Sequence, residues 1–184
     1  PFVHRVSMRS LSVKEQQRAK QYFDNDVLPL LSPQVIDIHH PFPHLANKAL
    51  YVMVRLKTKN RELYGLVPVP QSVDRCYFLS EDQRRLVLLE DLISAHLKEL
   101  FTGYEIDFHT VIAVTRNADI NLNAAEIDDD EDYREQMKNI LKKRRRMAPI
   151  RLELFRHSDK AFVSYICRQL HLSEEQVFLS KTPL

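Results

Sequence analysis

The sequence has no tryptophan and, among its 184 residues, only two glycines and two cysteines. So few glycines argue against long disordered stretches, and neither Gly65 nor Gly103 lies in a glycine-rich phosphate-binding loop. Cys76 and Cys167 form no CxxC motif, so we expect both to be reduced, buried side chains of an intracellular protein. No apolar run approaches the roughly 20 residues of a membrane span, and no signal peptide is recognisable.

The sequence also lacks an excess of charge of one sign and the signatures of common enzymes. Its 27 basic and 25 acidic residues give a formal net charge of +2, which does not by itself indicate a nucleic-acid-binding protein. GxSxG, HExxH and protein-kinase motifs are missing. The carboxylates lie in charged stretches, without the apolar surroundings that raise the pKa of a catalytic acid. From the residues alone we predict a domain with no recognisable active site.

What is present in the first third is a helix followed by an irregular segment. Hydrophobic residues make up 44% of the chain, enough for a substantial core. Ser12 and Glu15 have the spacing of a capping box and predict the start of a helix, which Pro29 and Pro33 are expected to end. Residues 35–47 are predicted to be irregular. The buried stripe of this helix is expected to consist of Ala19, Phe23 and Val27.

The middle of the chain predicts a strand meander and a second helix. Apolar and polar residues alternate over 50–57, as in a half-buried strand, and residues 63–69 predict the returning strand. The runs "CYFL" and "LVLL" are expected to extend the same meander. Residues 89–103 predict a helix with Gly103 just beyond its end. His96 lies on the apolar face of this helix, which favours a core histidine bonded to a backbone carbonyl over a ligand.

The last third alternates between strands and helices, so the whole chain predicts an α+β fold. We expect a meander of antiparallel or mixed strands with helices packed on it. One domain is expected to span residues 1–184, with residues 1–30 as the helix that leads into it. Because the chain starts at Pro1, we expect it to be excised from a longer protein. The predicted elements are a strand at 109–116, a helix to about 146, a strand at 149–155, a helix at 159–170 and a strand near 176–180.

Three histidines, His39, His40 and His44, fall within six positions of one another. Pro41 and Pro43 stiffen the segment into an extended path that separates consecutive side chains. A structural zinc site needs about four converging ligands, and the sequence offers no second Cys/His cluster. We therefore favour a packed, proline-fixed loop over a metal site, and predict no metal.

The predicted helix that ends near residue 146 is segregated by charge. Acidic residues crowd its start at 126–132 and basic residues crowd its end at 142–146, which is the polarity that the helix macrodipole favours. A solvated helix explains most of this charge. The alternative is that the "KKRRR" run binds an anion, either nucleic acid or another polyphosphate, although no RNA-binding signature accompanies it.

Five segments stand out by their order along the chain: "YFDNDVLPLLSP", "HPFPHLANKALYVMV", "LLEDLISAHLKELFTGYEI", "VTRNADINL" and "KKRRRMAPIRLEL". Together they resemble the head domain of long-form bacterial polyphosphate kinases. The resemblance extends from about Tyr22 to the C-terminus and rests on the order and spacing of the segments, since each is short. The family often has an apolar residue where His44 stands.

The resemblance implies a cytoplasmic parent enzyme, or one peripheral at the inner membrane face, that reversibly transfers the terminal phosphate of ATP to polyphosphate using Mg²⁺. In that family the catalytic histidine and the nucleotide-binding residues lie downstream of the head domain. The resemblance therefore implies no catalytic, cofactor-binding or metal-binding residue in this chain, which alone is expected to be inactive. It implies contacts with an upstream N-terminal domain, with the catalytic domains and with a second subunit in a dimer.

Within this interpretation the arginines are candidate contact residues. Arg116, in "TRNAD", ends a predicted strand, from which its side chain can reach a neighbouring domain or a polyanion. Arg144, Arg145 and Arg146 are expected to give at most weak, salt-sensitive polyphosphate binding. Two alternatives remain open: a freestanding nucleic-acid- or polyanion-binding module that uses residues 142–146, and a metal-dependent enzyme that uses the histidines.

Overall fold

The computed structural model describes residues 3–81, 83–117, 148–155 and 159–184. The predicted charged helix, including Arg144, Arg145 and Arg146, lies outside the described residues. The described helices are α1 Val13–Tyr22, α2 Leu89–Ala95, α3 Leu97–Leu100 and α4 Lys160–Leu170. The described strands are β1 His4–Arg5, β2 Gln34–Ile36, β3 Leu50–Lys57, β4 Glu62–Pro68, β5 Cys76–Phe78, β6 Arg85–Leu88, β7 Glu105–Arg116, β8 Pro149–Phe155 and β9 Val177–Ser180.

The larger sheet has six strands in the order β2-β4-β3-β7-β8-β9. Neighbouring strands are antiparallel except β8 and β9, which are parallel because α4 connects them. The mixed sheet with helices on both faces confirms the predicted α+β class. Strands β3, β4, β7, β8 and β9 and helix α4 lie within a few residues of their predicted positions.

Strand β3 is buried on both faces, so the prediction of a half-buried strand is wrong. Val52 and Val54 pack toward α1, α2 and α3, whereas Tyr51 and Met53 pack toward α4. The alternation of residue types led to the wrong prediction because Tyr51 and Met53 are large enough to fill a second core. The core on the α1–α3 face includes Ala19, Phe23, Val52, Val54, Leu56, Leu92, Ile93 and Leu97. The core on the α4 face includes Tyr51, Met53, Ile112, Leu152, Leu154, Phe162 and Ile166.

Two further expectations for the middle of the chain are corrected. Strands β5 and β6 do not extend the meander but form a separate three-stranded sheet with β1, in the order β1-β6-β5. Residues 34–36, at the start of the stretch predicted to be irregular, add β2 to the edge of the large sheet beside β4. Both differences depend on pairing between distant residues, which local patterns do not encode.

The first helix begins as predicted, with a capping box. Ser12 Oγ accepts a hydrogen bond from the backbone N–H of Glu15, and the Glu15 carboxylate accepts one from the backbone N–H of Ser12 at 2.8 Å. The stripe of Ala19, Phe23 and Val27 is fully buried. Beyond α1 the chain continues through a π-helical turn at Phe23–Val27 and a 3₁₀ turn at Leu28–Leu30, so Pro29 falls within the last helical turn.

The second predicted helix is interrupted at His96, which separates α2 from α3. The His96 Nδ1 atom lies 2.8 Å from the carbonyl oxygen of Leu92, and the ring stacks on Phe23 at 4.1 Å between centroids. These contacts confirm the prediction of a packed histidine bonded to the backbone. Gly103 follows with a φ of 86°, the left-handed conformation that glycine adopts readily.

The two cysteines differ in exposure, so the prediction that both are buried is wrong for one of them. Cys167 on α4 is buried as expected, whereas Cys76 is exposed at the start of the short strand β5. Within the residues that the structure describes, no helix is long and apolar enough to cross a membrane.

Candidate contact site around Arg116

The site predicted at Arg116 lies at the end of β7, where a loop from far earlier in the chain meets the strand. The backbone N–H of Arg116 donates to Asn47 Oδ1 at 2.8 Å, and its Nε donates to the carbonyl oxygen of Leu45 at 2.7 Å. Asn47 also bridges to Val114 in the parallel sense. The end of β7 is thereby tied to the loop that precedes β3, and we call this set of residues, 45–48 and 114–116, the Arg116 corner.

The loop side of the Arg116 corner is anchored at several points. Leu45 is fully buried in the core on the α4 face. The backbone N–H of Ala46 donates to the hydroxyl of Tyr51 at 2.9 Å, and that of Lys48 donates to the carbonyl of Val114 at 2.8 Å. Lys48 has a φ of 58°, a conformation that L-residues adopt at a cost. These contacts fix the position of the loop backbone against β7.

The Arg116 guanidinium stays positively charged although it is partly buried. Partial burial lowers the pKa of the Arg116 guanidinium, while the neighbouring Tyr51 opposes this effect. Arginine has so high a pKa that the side chain stays protonated at neutral pH. The Arg116 corner therefore presents a half-buried, positioned cation and not a flexible one.

A cavity of about 480 Å³ adjoins the Arg116 corner on the α1–α3 face of the sheet. Lys48 and Thr115 form part of its wall, and Leu184 packs into it from the other end of the chain. Arg75, also in the wall, is paired through Nε and Nη2 with the carboxylate of Glu90, which is 2% exposed. The ion pairs of the described residues leave Lys48 without a carboxylate partner, so Lys48 contributes a cation to the wall of this cavity.

Two of the three clustered histidines, His39 and His40, are hydrogen-bonded to Asp37. One Asp37 carboxylate oxygen, Oδ1, accepts hydrogen bonds from the backbone N–H groups of His39 and His40, each at 2.8 Å, and lies 3.1 Å from the His40 ring. The backbone donors lower the pKa of Asp37. His39, His40 and His44 are all exposed. Over the described ranges, no group of three or more His, Cys, Asp or Glu side chains is placed to hold a metal ion.

Of the four arginines predicted as contact residues, the structure places only Arg116. Sequence reasoning missed its partners Leu45 and Asn47 and the neighbouring Lys48. Both "HPFPHLANKALYVMV" and "VTRNADINL" stood out as segments of the resemblance. Nothing local indicated that the middle of the first segment meets the start of the second in space.

Comparisons with known proteins agree with one another. A family model described as the polyphosphate kinase middle domain matches residues 14–184. The polyphosphate kinase of Bacillus anthracis is 34% identical over 194 aligned residues, which cover 99% of this chain and 27% of that protein. The polyphosphate kinase of Streptomyces coelicolor is 34% identical over 184 residues, covering 99% of this chain and 24% of the relative.

A solved structure shares the fold. The crystal structure of polyphosphate kinase from Porphyromonas gingivalis superposes with a TM-score of 0.75 over 100% of this chain and 26% of that one, at 22% sequence identity. The chain spans about a quarter of the length of the relatives named here.

Proposed function

The chain belongs to the polyphosphate kinase family, whose middle domain it matches, and we propose from this that it is a structural domain of such an enzyme. In this proposal it holds neighbouring domains and a second subunit in place and supplies no reacting group. The proposed parent reaction moves the terminal phosphate of ATP to the end of a polyphosphate chain. It releases ADP, uses Mg²⁺ and is reversible.

The coverage of the relatives supports a role beside other domains. This chain corresponds to about a quarter of each relative, which implies other domains in the same enzyme, and we propose that this domain contacts them. Domain interfaces within one chain are commonly formed by exposed, partly polar surfaces on a rigid support. We propose a cytoplasmic location for the parent enzyme, as the family resemblance implies.

The geometry of the Arg116 corner is the main observation that supports the proposal. A guanidinium that is hydrogen-bonded to the backbone of a buried residue, here Leu45, loses little side-chain entropy when a partner binds it. Arg116, Lys48 and the exposed Asn117 lie together at one end of the central strands. We propose that the Arg116 corner contacts another domain or the second subunit.

Replacing Arg116 by alanine in the full-length enzyme tests this contact. The substitution removes one positioned cation, so we expect the dimer dissociation constant to rise about tenfold, as for the loss of one charge-assisted hydrogen bond. Sedimentation-velocity ultracentrifugation over a dilution series measures it, and polyphosphate synthesis is measured in parallel.

The matched control is Arg61→Ala, which removes an exposed arginine from the turn between β3 and β4. We expect this variant to keep the dimer equilibrium and the activity of the unmodified enzyme. If Arg116→Ala changes neither the dimer equilibrium nor the activity, the proposed role of the Arg116 corner is wrong.

A further inference from the structure

A second basic site lies away from the Arg116 corner, in a cleft of about 630 Å³ between the N-terminal segment and the large sheet. The N-terminal segment contributes Arg5 and Arg9, and α2 contributes Asp91 and Ser94. Strand β7 contributes His109. The ring of Phe155 closes the cleft at the end of β8.

Arg5 is held rigidly at the wall of the cleft. Its Nε and Nη2 atoms donate to the two carboxylate oxygens of Asp91 at 2.8–3.0 Å, and its guanidinium lies 5.1 Å from the centre of the Phe155 ring. These bonds use one edge of the guanidinium fork. Among the described residues, none accepts a hydrogen bond from Nη1, so the other edge is available to a ligand.

Arg9 adds a cation that Asp91 does not neutralise. It lies in the 3₁₀ turn Met8–Ser10, its side chain is exposed, and no carboxylate of the described residues pairs with it. Among the residues that the structure describes, the charged or titratable groups that line the cleft are Arg5, Arg9, Asp91 and His109. With His109 neutral, their charges sum to one net positive charge, and Asp91 is already engaged by Arg5.

The pKa of His109 depends on the charge of Arg9. Partial removal from water lowers the pKa of its imidazole, and the nearby Arg9 lowers it further. A neutral imidazole still carries one N–H donor, so His109 can bond an oxyanion without adding charge. An anion bound beside Arg9 would cancel the repulsion and make protonation of His109 easier.

We propose that this cleft binds a linear phosphate anion, with the free edge of Arg5 and the side chain of Arg9 as its cationic contacts. Arginine forks match phosphate oxygens, and Arg5 is already oriented by Asp91. Two sources share this chemistry: a polyphosphate chain and the triphosphate of a nucleotide. The choice of ligand class rests on the proposed function, but the site itself rests on the geometry of the cleft.

The experiment titrates the 184-residue chain with inorganic tripolyphosphate and, separately, with ATP. Isothermal calorimetry gives the dissociation constant, and NMR follows the pKa of His109. We expect the chain to bind tripolyphosphate, binding to weaken as salt is raised, and the pKa of His109 to rise on binding. ATP that binds more tightly than tripolyphosphate would identify a nucleotide as the ligand, and the reverse order would identify polyphosphate.

Two variants make the assignment specific. Arg9→Ala is expected to weaken binding about tenfold and to raise the pKa of His109 in the free chain, since a neighbouring cation is lost. Arg61→Ala, on the distant turn, is expected to change neither quantity. Tripolyphosphate binding that is absent, that Arg9→Ala leaves unchanged, or that Arg61→Ala weakens equally would overturn the proposal.

The two proposals can fail separately. The Arg116→Ala experiment measures assembly of the full-length enzyme, whereas this titration measures anion binding by the chain alone. An unchanged dimer with normal tripolyphosphate binding would contradict only the Arg116 corner, and the opposite result would contradict only the cleft.

Discussion

At the scale of single residues, Gly65 shows how closely the helices approach the sheet. It lies in β4, opposite Val54 on one side and Val35 on the other. A Cβ atom at this position would lie 2.8 Å from two ring carbons of Phe101 and 3.1 Å from a methyl group of Val54. Glycine is therefore required here because the buried Phe101 ring occupies the space of a side chain.

Gly65→Ala is expected to lower the free energy of unfolding by about 1–3 kcal/mol, because the added methyl group overpacks the core. Urea denaturation followed by circular dichroism measures the change. If Phe101 is the obstacle, the double variant with Phe101→Leu loses less stability than the sum of the two single variants.

Gly103→Ala is the matched control. Nothing lies within 4 Å of the Cβ that this substitution adds, so its cost, about 1 kcal/mol, comes from the positive φ alone. Phe101→Leu should not reduce that cost. A Gly65→Ala variant as stable as the unmodified chain would show that Phe101 does not constrain this position.

Residues whose role depends on near neighbours in sequence were predicted well. The capping box of Ser12 and Glu15, the backbone-bonded His96 and the left-handed Gly103 each involve atoms within four residues. The exposure of Cys76 was not predictable, because it depends on how β5 lies in a sheet with β6 and β1. For the same reason no local pattern indicated that Arg5 pairs with Asp91.

At the scale of elements, α4 and the central strands are joined through the start of the helix. Asp159 caps α4 by accepting a hydrogen bond from the backbone N–H of Phe162 at 3.0 Å, and it pairs with Arg55 of β3 at 3.2 Å. The hydrogen bond from Phe162 is the main cause that lowers the pKa of Asp159 below its usual 3.8, and Arg55 adds to it. One side chain thus serves both the helix and the sheet.

Replacing Asp159 separates these two roles. Asp159→Ala removes the cap and the ion pair, whereas Asp159→Asn keeps a capping oxygen and removes only the charge. At neutral pH we expect the urea midpoint to fall in the order unmodified chain, Asp159→Asn, Asp159→Ala. Equal midpoints for the two variants would show that the cap contributes nothing.

The same variants predict a pH dependence. Because the pKa of Asp159 is lower in the folded chain, its charge stabilises the fold above about pH 3.8, and this contribution is lost as the pH falls through the folded-state pKa. The difference in midpoint between the unmodified chain and Asp159→Asn should therefore shrink between pH 7 and pH 3. A difference that stays constant would contradict a stabilising charge on Asp159.

Elements were predicted more reliably than their arrangement. The periodicity of α4 and of β3, β4 and β7 is a local property, and each lies close to its predicted range. The break between α2 and α3 was missed, since the sequence around His96 keeps a helical period. The separate small sheet was also missed, because β1 pairs with β6 from some 80 residues away.

At the scale of the whole molecule, two cores hold a single central sheet between them, and the basic sites lie around its margins. The resemblance read from five short segments is confirmed by the family model and by the relatives. Arg116 was predicted as a contact residue from the sequence, but its loop partners Leu45 and Asn47 were not. The cleft of Arg5, Arg9 and His109 was not foreseen, because four distant segments form it.

We propose that this domain positions the reactive groups of neighbouring domains and contributes none. Incubating the purified 184-residue chain with Mg²⁺ and ATP labelled with ³²P at the terminal phosphate tests it most directly, with full-length polyphosphate kinase as the positive control. We predict that label enters long phosphate polymers only with the full-length enzyme. Polymer formation by the chain alone, at a rate that follows its concentration, would contradict the claim.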